Sequence, residues 1–139
     1  MAVCTDDNTC SCSDGTAHNF EGDKMRGIVT LCGSVRFKKE FDIVNRELTL
    51  AGWIVLMPGV WEHNWLHQKL NATENLKNDL DRLHREKILM SECIVIINHQ
   101  DYIGESTQSE LNYAIDQGKT VFWLNASYAR AGRSWKELI

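Results

Sequence analysis

Four short apolar segments constrain the fold of this chain more than any other feature of its sequence. They occupy residues 27–32, 53–57, 93–97 and 120–124, and none of them alternates regularly between apolar and polar side chains. A strand that is apolar on both faces belongs in a sheet covered on both sides, which is typical of parallel sheets. Segments with helical spacing separate the four. The sequence therefore predicts an α/β fold of the Rossmann or flavodoxin type, in which a doubly wound parallel sheet of four to five strands carries helices on both faces.

The segments between the strands have the spacing of amphipathic helices. The first helix is predicted between residues 34 and 52, the second from about Thr73 to about Glu92, and the third ends before Gly118. In the second helix we expect the buried side chains to be Leu76, Leu80, Leu83 and Met90. Lys87 falls on the same stripe. A last short helix is expected around Trp135.

Size and composition limit the kind of protein this can be. The 139 residues suffice for one domain, which we place at 26–139 behind a polar segment, 1–25, interpreted as a flexible arm. The net charge of −4 and the lack of a basic run argue against nucleic-acid binding. No apolar run approaches the roughly 20 residues that cross a bilayer, and the N-terminus has no apolar secretory stretch. We therefore expect a cytoplasmic protein with neither a nucleic-acid nor a membrane partner.

The five cysteines fall into two groups. Cys32 and Cys93 lie in predicted strands and are interpreted as small buried hydrophobes. Two sets of residues have the side-chain types of metal ligands. One is Cys4, Cys10 and Cys12 with His18 in the polar segment 1–25, hereafter the leader, and the other is His63 with His67. The leader spacing is not that of a known zinc motif, and the histidine pair has no accompanying acid. We therefore predict no metal and no other cofactor.

Two loops follow the first and third predicted strands. In a doubly wound sheet, ligands bind beyond the carboxyl ends of the strands near the point where strand order reverses, so residues 33–36 and 104–110 should meet there. Gly33 allows a ligand to approach the backbone, Ser34 can donate a hydroxyl, and Arg36 can bind a carboxylate or phosphate in bidentate fashion. The alternative is a tight turn with a serine cap and a solvated arginine.

The second loop leads into a helix and contains a carboxylate. A helix N-terminus offers unpaired N–H groups and a positive dipole end to an anion, and we expect the first turn to carry Glu110 into the same place. A carboxylate there can act as nucleophile or base. The alternative is a capping box, with Thr107 at the N-cap and Glu110 at N3, which explains both residues without any function.

Two further segments have open interpretations. Residues 84–87 read His-Arg-Glu-Lys and are either a solvated helix face with charge pairs or part of a site, and Lys87 can extend along apolar surface to reach water. The loop from residue 60 to about 67 contains Trp61. It is either an apolar patch over the core or a lid that stacks on a base.

Two motifs in this chain resemble the nucleoside 2-deoxyribosyltransferase-like superfamily, which includes the deoxynucleoside 5′-monophosphate N-glycosidases. The first is a strand followed by Gly33-Ser34-Val35-Arg36-Phe37; the second contains Asp101-Tyr102-Ile103-Gly104-Glu105-Ser106-Thr107, Glu110, Tyr113-Ala114, Gly118-Lys119 and Val121. The resemblance spans about residues 27–124, and the glutamate ahead of Tyr113-Ala114 is its most specific marker.

The resemblance implies a function and a set of site residues. Glu110 would attack the anomeric carbon of a sugar and displace the base, and water or a second base would then release the glycosyl-enzyme intermediate. The implied substrate-binding residues are Gly33, Ser34 and Arg36 in the first loop, Gly104, Ser106 and Thr107 around a 5′-phosphate or 5′-hydroxyl, and Trp61 over the base. Apart from the resemblance, we also predict Lys87 as a substrate-binding residue, because its basic region suits an anionic ligand. Members often build their sites at dimer interfaces, so a homo-oligomer is also implied.

The long helix departs from the family pattern. Members usually carry an aspartate there that helps to protonate or hold the base, whereas the matching region of this chain is the basic segment 84–87. Asp79 and Asp81 lie a turn or two earlier, and Asp101 is our candidate for a second catalytic carboxylate.

Three functions remain open on the sequence. The first is cleavage or transfer at the N-glycosidic bond of a nucleoside or nucleoside 5′-monophosphate. The second is a non-catalytic nucleotide-binding or sensor domain, which the basic region favours. The third is an NAD-type glycohydrolase.

Overall fold

The structure, a computed structural model, describes residues 25–61, 73–127 and 132–139. The arm predicted over residues 1–25 lies, apart from Met25, outside these ranges. So do the possible zinc ligands of the leader and the pair His63 and His67.

The described residues contain one sheet of four parallel strands. The strands are β1 Gly27–Gly33, β2 Trp53–Leu56, β3 Cys93–Ile97 and β4 Thr120–Trp123. Their order is β2-β1-β3-β4, and every pairing is parallel. This topology confirms the predicted α/β class with a doubly wound parallel sheet. The chain moves outward from β1 to β2 and then returns to place β3 on the other side of β1, so strand order reverses between β1 and β3.

Three helices connect the strands. They are α1 Lys38–Leu50, α2 Thr73–Met90 and α3 Glu105–Asp116. Short 3-10 helices occur at Val35–Phe37, His99–Asp101 and Trp135–Leu138, and the last of these confirms the short helix predicted around Trp135. None of the helices within the described ranges is both long and apolar enough to cross a membrane.

Alternate residues of the strands pack against different helices. One buried cluster joins Val29, Leu31, Val95 and Ile97 of the sheet to Phe41, Val44 and Leu48 of α1. The other joins Cys32, Ile94 and Ile96 to Ile88 of α2 and to Leu111 and Ala114 of α3. Successive side chains of a strand point to opposite faces, so α1 covers one face of the sheet and α2 and α3 cover the other.

The buried stripe predicted for α2 is wrong at two positions. Leu83 and Met90 are 58% and 60% exposed, whereas His84 and Ile88 are buried. The helix is rotated so that His84, rather than Leu83, points between the sheet and α3. Hydrophobicity alone did not indicate this rotation, because it assigned the polar side chain to the solvated face.

The ends of β1 and β3 lie directly side by side. Gly33 is the register partner of Ile97, so the loops that follow the two strands begin together. A Cβ atom on Gly33 would lie 2.9 Å from the Ile97 Cβ and 3.3 Å from the Phe41 ring. The first loop therefore needs glycine at this point because of close packing beneath it.

Candidate active site

A cleft of about 800 Å³ opens where the carboxyl ends of β1 and β3 face α2. This is the reversal point of the sheet, where doubly wound folds bind ligands. All but one of the site residues predicted from the sequence line it: Gly33, Ser34, Arg36, Trp61, Lys87, Gly104, Ser106, Thr107 and Glu110. The exception is Asp101.

Asp101 lies in the sharp turn after β3, away from the cleft lining. It is exposed, and both it and Gln100 adopt left-handed backbone conformations, with φ of 65° and 52°. The turn is closed by the Asp101 amide, which donates to the Asn98 carbonyl at 2.9 Å. The second carboxylate that the sequence predicted at Asp101 is thus not brought to Glu110. Asp81 of α2 lines the cleft instead.

The first loop has the local structure of the simpler alternative. The Ser34 hydroxyl caps the helix Val35–Phe37 by accepting a hydrogen bond from the Arg36 amide at 3.3 Å. The Arg36 guanidinium, however, lies over the ring of Tyr102, with its central carbon 4.5 Å from the ring centroid. Because Tyr102 belongs to the second loop, this cation–π contact joins the two loops across the mouth of the cleft.

The second loop enters α3 earlier than predicted. Gly104 is the N-cap, the helix begins at Glu105, and Thr107 is a buried helical residue. The capping-box alternative is therefore wrong, and Glu110 lies on the second turn of α3, not the first. The N-cap makes no side-chain hydrogen bond. Among the described residues, no side chain accepts a hydrogen bond from the first amides of α3, and the residues that carry these amides line the cleft. Amides at a helix N-terminus can bind an anion.

Glu110 extends from α3 towards α2 and β1. Its side chain is 16% exposed, and its Oε1 atom lies 3.7 Å from His84 Nε2. The same imidazole nitrogen lies 3.4 Å from the Cys32 sulfur. One ligand-type atom from each of the three residues lies within 4.8 Å of the other two. Three different elements thus bring a thiol, an imidazole and a carboxyl group together beneath the cleft.

Burial shifts the pKa of each member of this cluster. The pKa of Glu110 rises to about 8, chiefly because burial penalises its charged form and then because Asp81 repels it. Burial, followed by repulsion from Lys87, lowers the pKa of His84 to about 4. Burial, followed by the charge of Glu110, raises the pKa of the Cys32 thiol well above its ordinary value. All three groups are therefore predominantly uncharged at neutral pH.

The basic segment of α2 is only partly a solvated face. Arg85 and Glu86 are exposed, but His84 is only 6% exposed. The Lys87 ammonium donates to the Met57 carbonyl at 2.7 Å, and burial lowers the pKa of this lysine. Lys87 thus ties α2 to the chain that leaves β2 and does not simply extend into solvent.

Trp61 is packed on the α1 side of the cleft. Its ring meets Phe41 edge to face, with centroids 4.8 Å apart, and the Lys38 ammonium lies 5.5 Å from the Trp61 centroid. The lid predicted for this loop extends beyond residue 61 and lies outside the described residues.

Sequence reasoning missed Cys32 and His84 as site residues. Both cysteine predictions for the strands are confirmed, since Cys32 and Cys93 are buried, but no local pattern distinguished the sulfur that faces the site from the one that does not. His84 carried a usable signal. It lies four residues from both Leu80 and Ile88, so it occupies a helical stripe whose other members are apolar.

The fold and the cleft define a class of protein, a parallel α/β domain with a cleft at the reversal of strand order. Comparisons of the chain with protein-family models, with curated proteins and with solved structures give no match in any of the three.

Proposed function

We propose that the protein is an enzyme that cleaves, or transfers a group across, the N-glycosidic bond of a nucleoside or nucleoside 5′-monophosphate, in the manner of the nucleoside 2-deoxyribosyltransferase-like superfamily. One observation carries this proposal. The Glu110 carboxyl group lies in the same cleft as Ser34, Arg36 and the uncapped N-terminus of α3. Such a reaction requires a nucleophile and a binding site for the anionic group of the substrate in the same cleft.

The substrate is oriented by its polar end. A 5′-phosphate or 5′-hydroxyl would bind the first amides of α3 and the hydroxyl of Ser106, with the Arg36 guanidinium nearby. The sugar would then lie over Glu110. The base would point towards Trp61 and the apolar side chains of α2 that line the cleft, including Leu80 and Leu83.

The reaction is a retaining double displacement. Glu110 attacks the anomeric carbon as the glycosidic bond breaks, and the base leaves with the bonding electrons and takes up a proton. Asp81, the other carboxyl group beside Glu110, is assigned to hold or protonate the base. Water or a second base then attacks the same carbon, which releases the sugar and restores the free Glu110 carboxylate.

Glu110 must lose its proton before it can attack. With a pKa of about 8, about one molecule in ten is ionised at pH 7. His84 Nε2 lies 3.7 Å from the carboxyl oxygen, but its pKa of about 4 makes it too weak a base to keep this proton, which is released to solvent. Positive charge that develops on the sugar in the transition state stabilises the ionised form. Base release should therefore rise with pH towards 8.

The test is a panel of nucleosides and their 5′-monophosphates, ribose and deoxyribose, with detection of the free base. Glu110→Gln should abolish release and leave the fold unchanged by circular dichroism. Asp116→Asn is the matched control, because Asp116 is an exposed acid on the same helix outside the cleft, and it should react at the wild-type rate. Wild-type turnover by Glu110→Gln would contradict the assignment.

A non-catalytic nucleotide-binding domain is the second candidate. The raised pKa of Glu110, about 8 because of its burial, favours this candidate, since a neutral carboxyl group donates a hydrogen bond and is a poor nucleophile. Members of the panel that raise the melting temperature without release of base would support this candidate. Including NAD in the panel tests the third function, which predicts free nicotinamide.

Two further predictions concern the assembly of the protein and its location in the cell. A homo-oligomer is proposed from the same resemblance, and the exposed Leu83 and Met90 at the cleft are apolar surface that a second copy would cover. Light scattering with Leu83→Glu tests this, because the charge should dissociate the assembly. Cytoplasmic location remains a prediction from the sequence.

A further inference from the structure

Cys32, His84 and Glu110 come from the end of β1, the middle of α2 and the second turn of α3. We propose that these three side chains form a binding site for one thiophilic divalent cation of the zinc class, with a fourth coordination position open to the cleft. The binding itself does not depend on the proposed function.

The distances between the ligand atoms fit such an ion. Tetrahedral zinc with bonds of about 2.3 Å to sulfur and about 2.1 Å to nitrogen or oxygen separates sulfur from nitrogen by about 3.6 Å, and nitrogen from oxygen by about 3.4 Å. In the protein, the Cys32 sulfur is 3.4 Å from His84 Nε2, and that nitrogen is 3.7 Å from Glu110 Oε1. These two separations differ from the tetrahedral values by a few tenths of an ångström. The third pair, the Cys32 sulfur and the Glu110 oxygen, lies within 4.8 Å, and rotation of the Glu110 side chain would bring its oxygen to about 3.6 Å from the sulfur.

The route to the three side chains and the types of their ligand atoms limit which metal ions could bind there. His84 and Glu110 line the cleft, whereas Cys32 is fully buried next to them. An ion that enters through the cleft would meet sulfur, nitrogen and oxygen on one side and open space on the other. Three protein ligands and one open position are typical of catalytic zinc sites, and a thiolate with an imidazole disfavours magnesium and calcium.

The charges of the cluster also favour a cation. Bound as a thiolate and a carboxylate, Cys32 and Glu110 would release two protons to solvent, and their two negative charges would neutralise the ion. The low pKa of His84 leaves its nitrogen lone pair free for coordination at neutral pH. The cation therefore offsets the desolvation that otherwise keeps Glu110 and Cys32 protonated.

One consequence rests on the proposed function. A carboxylate that coordinates the ion is not free to attack a sugar, so zinc should inhibit base release by occupying the nucleophile. Removal of the ion with a chelator should restore release. Inhibition by zinc would thus connect the two proposed roles of Glu110, as a metal ligand and as a nucleophile. Metal binding and base release can still be measured separately.

The experiment titrates Co²⁺ into the 139-residue chain with Cys4, Cys10 and Cys12 replaced by serine, which leaves Cys32 and Cys93 as its two thiols. We expect one Co²⁺ per chain, with a thiolate-to-cobalt charge-transfer absorption in the near ultraviolet. Cys32→Ser should abolish this absorption. Cys93→Ser is the matched control, because Cys93 is buried against α1's face of the sheet, and it should keep the absorption.

Glu110→Gln gives a second variant, since it is nearly isosteric and its side chain reaches the cleft. It should weaken Co²⁺ binding at least about tenfold. No thiolate absorption in the Cys93→Ser chain would overturn the proposal, as would unchanged binding in Glu110→Gln; the latter decides the matter even if Cys32→Ser fails to fold. The cobalt absorption requires no substrate, so the two proposals can fail separately. If the Cys93→Ser chain releases base but binds no cobalt, the metal site is wrong and the glycosidase stands. If it binds cobalt but releases no base, the glycosidase is wrong and the metal site stands.

Discussion

The two faces of the sheet differ in what they bury. On the first face, α1 contributes Phe41, Val44 and Leu48, which are fully buried and apolar. On the second, α2 and α3 bring His84 and Glu110 against the sheet, with side chains 8% and 16% exposed. Both faces are closely packed, yet among the described residues only the second face has a cluster of three ionisable side chains, Cys32, His84 and Glu110, held together out of water.

This difference separates stability from chemistry. Burying apolar surface stabilises the fold, whereas burying a carboxyl group and an imidazole costs free energy unless they are neutral or paired. The second face meets that cost by shifting pKa values, and strongly shifted pKa values in a cleft are the usual sign of a functional site. The first face therefore contributes stability through apolar burial alone, whereas the second combines its apolar cluster with three ionisable side chains whose burial costs stability.

The largest effect is expected on the first face. Phe41→Ala should lower the free energy of unfolding by about 3–5 kcal/mol, because it removes a fully buried ring and leaves a cavity. Denaturant unfolding measures this change. Ile43→Ala is the control, since Ile43 lies on the same helix and is 39% exposed, and it should cost less than about 1 kcal/mol. Equal losses from the two variants would contradict the division between the faces.

The second face should instead govern how stability depends on pH. The pKa of Glu110 is raised from 4.5 to about 8, so its contribution is fully present below pH 4.5 and is lost as the pH rises through 8. The pKa of His84 is lowered from 6.5 to about 4, so its contribution is present above pH 6.5 and is lost as the pH falls through 4. Between about pH 4.5 and 6.5, the unfolded chain holds a proton on His84 and the folded protein holds one on Glu110. The proton counts match, and these two groups give a plateau.

Above the plateau, stability should fall. From pH 6.5 to 8 the folded protein holds one more proton than the unfolded chain, which lowers the free energy of unfolding by about 2 kcal/mol at about 1.4 kcal/mol per pH unit. The measurement is urea unfolding from pH 4 to 9 with a chelator present. Glu110→Gln should remove the alkaline fall, and Asp116→Asn should keep it. An unchanged profile in Glu110→Gln would show that the carboxyl group titrates normally.

The same division explains what the sequence could predict. The strands, the helix of the first face and the meeting of the two loops all follow from apolar spacing, because those elements bury what their periodicity says they bury. The cleft residues were found where a loop follows a strand, which topology alone locates. Leu83, Met90 and Asp101 were misplaced, however, because the rotation of α2 and the left-handed turn at Asp101 depend on contacts that no local pattern contains.

The cluster itself was out of reach for a different reason. Cys32 and His84 are 52 residues apart. A buried cysteine is an ordinary core residue, and the stripe that His84 shares with Leu80 and Ile88 could place it on the buried face of α2 but could not identify its partners. Only the register of β1 with β3 and the packing of α2 on that face bring them together with Glu110.

A smaller effect is expected where α2 meets the chain leaving β2. Lys87→Met should lower the free energy of unfolding by about 1–2 kcal/mol, because it removes the charged hydrogen bond to the Met57 carbonyl. It should also raise the pKa of His84, since Lys87 repels the imidazolium, and NMR titration of the ring measures this. Lys39→Met, at an exposed position of α1, should change neither quantity. A His84 titration that does not move would separate Lys87 from the cluster.

The smallest effect is expected at the contact that joins the two loops. Tyr102→Leu removes the ring beneath the Arg36 guanidinium but keeps an apolar side chain, so unfolding should become easier by only about 0.5–1 kcal/mol. The substitution should lower the affinity for an anionic ligand by more than it lowers stability. Without the Tyr102 ring, the Arg36 guanidinium samples more orientations and binds an anion less well. Binding of a nucleoside monophosphate relative to the free nucleoside isolates that loss. If Tyr102→Leu weakens both ligands equally, Arg36 does not contact the phosphate, and the second face must recognise its ligand through the amides of α3 alone.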